Sequence, residues 1–144
     1  MKQEHGWTLT AEERDHLDEV NARYRQMATN PSLAEPMFLI GTPIAAPSWE
    51  ERLADPRKML QAELDPIKAS LAVGDDRTAT VRVQFGTAQI AAAFGCAMYQ
   101  PPNSLPCAGS HVLQNAEDVY GLPMPSFTDG WFGRLAEWTR VFLG

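Results

Sequence analysis

The sequence has few cysteines, no long apolar run and no excess of positive charge. Its 144 residues include only two cysteines, Cys96 and Cys107, which is too few for a secreted scaffold held together by disulfides. We therefore expect reduced thiols. No apolar run approaches the roughly 18 residues that a membrane-spanning helix needs, and the first residues are too polar for a secretory signal peptide. These absences predict a cytoplasmic protein.

Acidic residues outnumber basic ones by 18 to 12, which gives a net charge of -6. This balance argues against nucleic acid or an anionic membrane surface as a partner. The spacing of serine, cysteine and histidine suggests no catalytic triad, and the glycines do not form a phosphate-binding loop. An apolar content of 44% is ordinary for a globular domain of this length.

Two helix starts are marked by capping boxes, in which a hydroxyl residue and a glutamate three positions later bond to each other's backbone amides. Thr10 with Glu13 predicts a helix that ends before Pro31, and Ser48 with Glu51 predicts a short second helix. Asn115 and, further on, Ser126 or Asp129 are predicted to begin two more helices.

A longer helix is predicted to begin at Asp55-Pro56, because aspartate is a good N-cap and proline fits the first helical position. Pro66 lies inside the apolar pattern of this helix, where it removes one backbone hydrogen bond and predicts a kink. Gly74 is predicted to end the helix in the left-handed conformation.

Two strands are predicted. Residues 36–41 form a short apolar run typical of a strand buried on both faces, and residues 78–86 alternate between apolar and polar side chains. The apolar side chains of the second run are Val81, Val83 and Phe85, and the polar ones are Thr80, Arg82 and Gln84. Strands separated by helices predict parallel βαβ units. Two strands make a poor sheet, so either residues 97–113 add strands or the chain is part of a larger fold.

Several short motifs occur together in the order typical of one enzyme family. They are a helix that opens with an acidic residue and proline, a second proline in Leu64-Asp65-Pro66, a strand, the turn Ala93-Phe94-Gly95, and Glu117-Asp118 followed by Leu122. In this order and spacing, residues 33–144 resemble the N-terminal part of the uroporphyrinogen decarboxylase superfamily.

The resemblance implies an α/β fold, namely a partial TIM (β/α)8 barrel. A barrel of this kind needs about 250 residues, so 144 residues supply its first two to three β/α units. Residues 1–32 are then an N-terminal helical extension, and residues 33–144 are a truncated barrel domain. By this interpretation the chain is a fragment, inactive by itself, that forms a homodimer or associates with a missing C-terminal half.

The function that the resemblance implies is decarboxylation of a porphyrinogen-type or other carboxylated small molecule by the full-length enzyme. Where the family carries an arginine-rich motif after its first strand, residues 41–46 contain no arginine, which indicates a divergent member.

One alternative is a corrinoid-dependent methyltransferase of the same superfamily, and only that alternative would require zinc and a corrinoid protein. No cofactor is otherwise expected in this chain. Another alternative is a non-catalytic α/β domain that binds a partner or subunit through its proline-rich loop and aromatic last helix.

Residues at the carboxyl end of a barrel strand line the active site, so Arg82, Gln84, Gly86 and Thr87 are predicted to contact the substrate. The resemblance places the family's substrate-contacting aspartate at Gly86 or Gln84, and its other catalytic residues beyond Gly144. The alternative for Arg82 and Gln84 is a satisfied polar layer inside the barrel.

A metal site is the other hypothesis that the sequence raises. Cys96, Cys107 and His111 have the spacing C-x10-C-x3-H, which lacks the close cysteine pair of structural zinc sites. We expect ordinary thiols instead, because free cysteine is among the more buried residue types.

Overall fold

The computed structural model describes residues 7–33 and 35–144, and about half of these residues are helical. The helices are α1 (Ala11–Thr29), α2 (Trp49–Ala54), α3 (Pro56–Val73), α4 (Gln89–Ala93) and α5 (Gly130–Leu143). Short 3-10 helices lie at Pro31–Leu33 and Ala116–Gly121, and the strands are β1 (Met98–Tyr99) and β2 (Cys107–Ala108). The described chain is therefore mostly helical with one two-stranded sheet.

The predicted helix starts are confirmed. The amide of Glu13 donates to Thr10 Oγ1 at 3.1 Å, and the amide of Thr10 donates to Glu13 Oε2 at 2.7 Å. Ser48 and Glu51 form the same reciprocal pair before α2. Asn115 caps the 3-10 helix that follows it through its side chain, which accepts from the amide of Glu117. Local pairing of side chain and backbone thus fixes where these elements begin.

Helix α3 begins at Pro56 as predicted, and Asp55 Oδ1 accepts a hydrogen bond from the amide of Arg57 at 2.9 Å. The helix continues through Pro66 to Val73. It is followed by Gly74, whose φ of +65° is the left-handed conformation predicted for this position.

The two predicted parallel strands are wrong, because neither residues 36–41 nor residues 78–86 form a ladder. The amide of Asp76 donates to the carbonyl of Phe38 at 2.9 Å, which is a single backbone hydrogen bond between the two segments. The other hydrogen bonds involve side chains. Asp76 Oδ2 accepts from the amide of Phe38 at 2.7 Å, and Asp75 Oδ2 accepts from the amide of Ile40 at 2.8 Å. Carboxylates satisfy the amides that a neighbouring strand would have satisfied.

The sheet of the described chain lies instead within residues 97–113. Strands β1 and β2 pair antiparallel, with Met98 opposite Ala108 and Tyr99 opposite Cys107. Of the two alternatives left open by the sequence, residues 97–113 do add strands, but only two short ones that do not belong to a parallel sheet. Among the described residues no helix is both long and apolar enough to cross a membrane.

The chain divides into two compact units. Unit 1 combines the chain up to Ala46 with Gln61–Val81, and unit 2 combines Pro47–Leu60 with Arg82–Gly144. The core of unit 2 is a buried cluster around which partly buried apolar side chains pack. The cluster consists of Leu53, Met59, Phe85 and Trp138, and the surrounding side chains are Trp49, Val83, Trp131, Leu135 and Phe142. In unit 1 the buried apolar side chains include Leu17, Val20, Leu64 and Ile67.

Candidate functional site

The segment before α4 has one side in the core of unit 2 and the other at its surface. Phe85 is fully buried and Val83 packs against the same cluster, whereas Arg82 is exposed and Gln84 is half-buried. The alternation predicted from the sequence is therefore confirmed for these four residues. It fails at Val81, which is 39% exposed and does not join the core.

All four residues predicted to contact a ligand line one cavity of about 650 Å³, which we call the Gln84 cleft. The predicted residues are Arg82, Gln84, Gly86 and Thr87, and the lining also includes Val83, Gln89, Leu105, Pro106 and Cys107. The volume lies in the range of small-molecule sites. The four predicted residues therefore line the same cavity, although residues 82–87 form no strand.

Gly86 forms the turn at the base of the cleft. Its φ is +79°, and a Cβ added at this position would lie 2.9 Å from the carbonyl oxygen of Pro106, so both conformation and space favour glycine. Two glutamines hold the turn: the amide of Gly86 donates to Gln84 Oε1 at 3.1 Å, and Gln89 Nε2 donates to the carbonyl of Gly86 at 2.8 Å. Gln84 therefore shapes the cleft as well as lining it.

Aromatic packing in the core of unit 2 holds the segment that contains Phe85. The ring centroid of Phe85 lies 5.0 Å from that of Trp131 and 4.9 Å from that of Trp138. The guanidinium of Arg134 lies 4.7 Å from the centroid of the Trp138 ring and donates a hydrogen bond to the carbonyl of Leu53. Because Phe85 lies between Gln84 and Gly86 in the chain, this packing fixes the position of both.

Another part of the cleft lining follows a loop that is tied to α2. Asn103 Oδ1 accepts from the amide of Trp49 at 3.1 Å, and Glu50 Oε1 accepts from the amide of Asn103. The hydrogen bond from Asn103 is the main reason why the pKa of Glu50 lies below its usual range. Asn103 itself has a φ of +46°, which asparagine tolerates better than most residues. This reciprocal pair holds the chain that leads into Leu105 and Pro106.

Sequence reasoning missed Gln89 and Cys107 as members of the cleft. A signal existed for Gln89, because it follows Gly86 by three residues in an alanine-rich segment. No local signal existed for Cys107, which reaches the cleft from β2.

The structure separates the three residues of the metal hypothesis. Cys107 lines the Gln84 cleft, whereas Cys96 and His111 line another, largely apolar cavity of about 410 Å³ in unit 2. The thiol of Cys96 donates to the carbonyl of Ser110 at 2.6 Å, and both cysteines are free. Across residues 7–33 and 35–144, no group of three or more histidine, cysteine or acidic side chains is placed to hold a metal ion.

The groups of the Gln84 cleft are suited to binding. Arg82 contributes a permanent positive charge, the two glutamines contribute carboxamides, and Thr87 contributes a hydroxyl. Comparisons with protein-family models, curated proteins and solved structures find no match for this chain. The assignment of the cleft therefore depends on its residues alone.

Proposed function

We propose that this chain is the N-terminal part of a uroporphyrinogen decarboxylase-like barrel enzyme, and that the Gln84 cleft is part of its substrate site. The observation that supports the proposal is the convergence of Arg82, Gln84, Gly86 and Thr87 on one cavity.

The proposal assigns binding, and no proton transfer, to the cleft. Arginine stays protonated in proteins and glutamine does not ionise, so neither Arg82 nor Gln84 can act as a general acid or base. In the proposed enzyme these groups orient a carboxylated substrate through charge-assisted hydrogen bonds.

Binding of a carboxylated tetrapyrrole tests the proposal. Uroporphyrin is titrated into the 144-residue chain and followed by its fluorescence, with its neutral octamethyl ester as the ligand control. We expect the acid to bind and the ester not to bind. We also expect Gln84→Ala to weaken binding by about tenfold, whereas Gln100→Ala, an exposed glutamine outside the cleft, should leave it unchanged.

Equal affinity for acid and ester, or an equal effect of the two glutamine variants, would argue against this site. Thermal melting of both variants is the accompanying measurement, because Gln84 also holds the Gly86 turn. A loss of stability without a loss of binding would assign Gln84 a structural role only.

A second candidate is a binding module, and exposed apolar side chains favour it. Tyr120, Met124 and Phe127 lie within eight residues of chain and are 88% to 91% accessible, and exposed apolar side chains favour a surface that another protein covers. Light scattering across a concentration series tests association of the chain with itself. A monomer at all concentrations would remove the homodimer from consideration.

A further inference from the structure

A second polar cavity lies in unit 1 and shares no lining residue with the Gln84 cleft. It encloses about 340 Å³ and is lined by Tyr24 from α1, by the Ala62–Ile67 side of α3, and by Arg77, Thr78 and Thr80. A volume of this size is sufficient for a small organic molecule.

Arg77 is the residue in this cavity whose bonding is incomplete. Its Nε is buried and has no hydrogen-bond partner in the described part of the chain. A buried, unpaired donor on a charged group costs free energy that a bound acceptor would recover. The nearby carboxylate of Asp75 is already occupied, since it accepts from the hydroxyl of Ser70 and from the amides of Ile40 and Arg77.

The remaining lining indicates what kind of anion would fit. Leu39, Pro66 and Ile67 give the cavity an apolar part of its lining, and Tyr24, Thr78 and Thr80, which also line it, each carry a hydroxyl. The planar guanidinium matches a planar carboxylate with two parallel hydrogen bonds. Glu63 also lines the cavity, so an anion of low charge is favoured there over one of higher charge such as phosphate.

We propose that the unit 1 cavity binds a small organic monocarboxylate, with the carboxylate paired to Arg77 and the apolar body against Pro66 and Ile67. This site is independent of the function proposed for the Gln84 cleft, because none of its lining residues belongs to that cleft. Either proposal can fail without the other.

Benzoate is the probe, and the Nε–H resonances of the arginines in ¹⁵N-labelled full-length chain are the readout. We expect the Arg77 Nε–H signal to move and saturate with benzoate at millimolar concentration, and to stay in place with benzamide, the neutral analogue. The internal control is Arg23, whose Nε is also buried without a hydrogen-bond partner in the described chain but which is paired with Asp76 and does not line the cavity. Its signal should not move.

Calorimetry of Arg77→Gln should show benzoate affinity reduced by about tenfold or more, with Arg25→Gln, an exposed arginine outside the cavity, as the matched variant. If the Arg77 variant does not fold, the Nε–H titration of the unmodified chain alone tests whether benzoate binds at Arg77. Three results would overturn the proposal. The Arg77 Nε–H resonance could show no shift with benzoate, an equal shift with benzamide, or a larger shift with inorganic phosphate.

Discussion

Phe85 and Trp131 meet edge to face, with ring centroids 5.0 Å apart and ring planes at 85°. This geometry is the favoured one for an aromatic pair, and it occurs at a phenylalanine with no accessible surface. The contact joins the segment that forms the Gln84 cleft to helix α5.

Replacing this phenylalanine should be the most destabilising change in unit 2. We expect Phe85→Ala to lower the free energy of unfolding by about 3–5 kcal/mol, because it removes a buried ring and leaves a cavity. Val81→Ala, at an exposed position four residues earlier, should cost about 0.5 kcal/mol. Urea denaturation followed by far-ultraviolet circular dichroism measures both values, and similar losses for the two variants would contradict the packing described.

Three glycine-to-alanine variants separate backbone conformation from lack of space. Gly86 has both a positive φ and a close contact, Gly74 has a positive φ with open space, and Gly121 has neither. We expect Gly121→Ala to be nearly neutral, Gly74→Ala to cost about 1 kcal/mol, and Gly86→Ala to cost more than that. Thermal melting gives the order, and a Gly86 variant as stable as the Gly74 variant would show that the loop carrying Pro106 can move away.

The stability of unit 1 should depend on pH through Asp75. Burial raises the pKa of this carboxyl, but hydrogen bonds from Ser70, Ile40 and Arg77 outweigh that effect and hold the pKa below its usual range. A carboxyl with a lowered pKa in the folded state stabilises the fold above its unfolded pKa of about 3.9. This contribution is lost as the pH falls through the folded-state value.

We therefore expect Asp75→Asn to be less stable than the parent chain by about 1–3 kcal/mol at neutral pH, with the difference shrinking below about pH 4. Asp18→Asn, at an exposed position on α1, is the control. Urea denaturation at several pH values measures the difference. A gap between parent and Asp75 variant that stays constant on acidification would show that the ionised carboxylate is not what stabilises unit 1.

The two thiols should react at different rates. Cys107 is exposed, whereas Cys96 is 7% accessible and hydrogen-bonded to Ser110. With a chromogenic disulfide reagent we expect one fast and one slow thiol, and only the slow one in Cys107→Ser. The reciprocal variant, Cys96→Ser, should keep only the fast phase. Two thiols of equal rate in the parent chain would contradict the burial of Cys96.

The features that could be predicted from the sequence are those determined by neighbours in the chain. The capping boxes at Thr10 and Ser48 require residues only three positions apart, and the alternation at residues 82–85 follows from the geometry of any extended segment. The four residues predicted to contact a ligand, which lie between positions 82 and 87, do share a cleft. Their ligand remains a prediction.

The features that could not be predicted depend on contacts between distant residues. An apolar run such as residues 36–41 has strand composition, but a ladder forms only where a second strand supplies donors and acceptors in register. Asp75 and Asp76 supply acceptors instead, and nothing in the local sequence shows that a carboxylate will do so. For the same reason Cys107 reaches the cleft without a local signal, since pairing between β1 and β2 brings it there.

The guanidinium of Arg134 lies within 5.6 Å of the ring centroids of Phe85, Trp131 and Trp138. Two indoles are thereby held at fixed angles in an asymmetric electric field. Rigid chromophores in such a field absorb left and right circularly polarised light unequally, so unit 2 should have a strong near-ultraviolet dichroism of its own. Loss of that band while the helical signal persists would identify a molten state of unit 2, in which the helices survive without their packing.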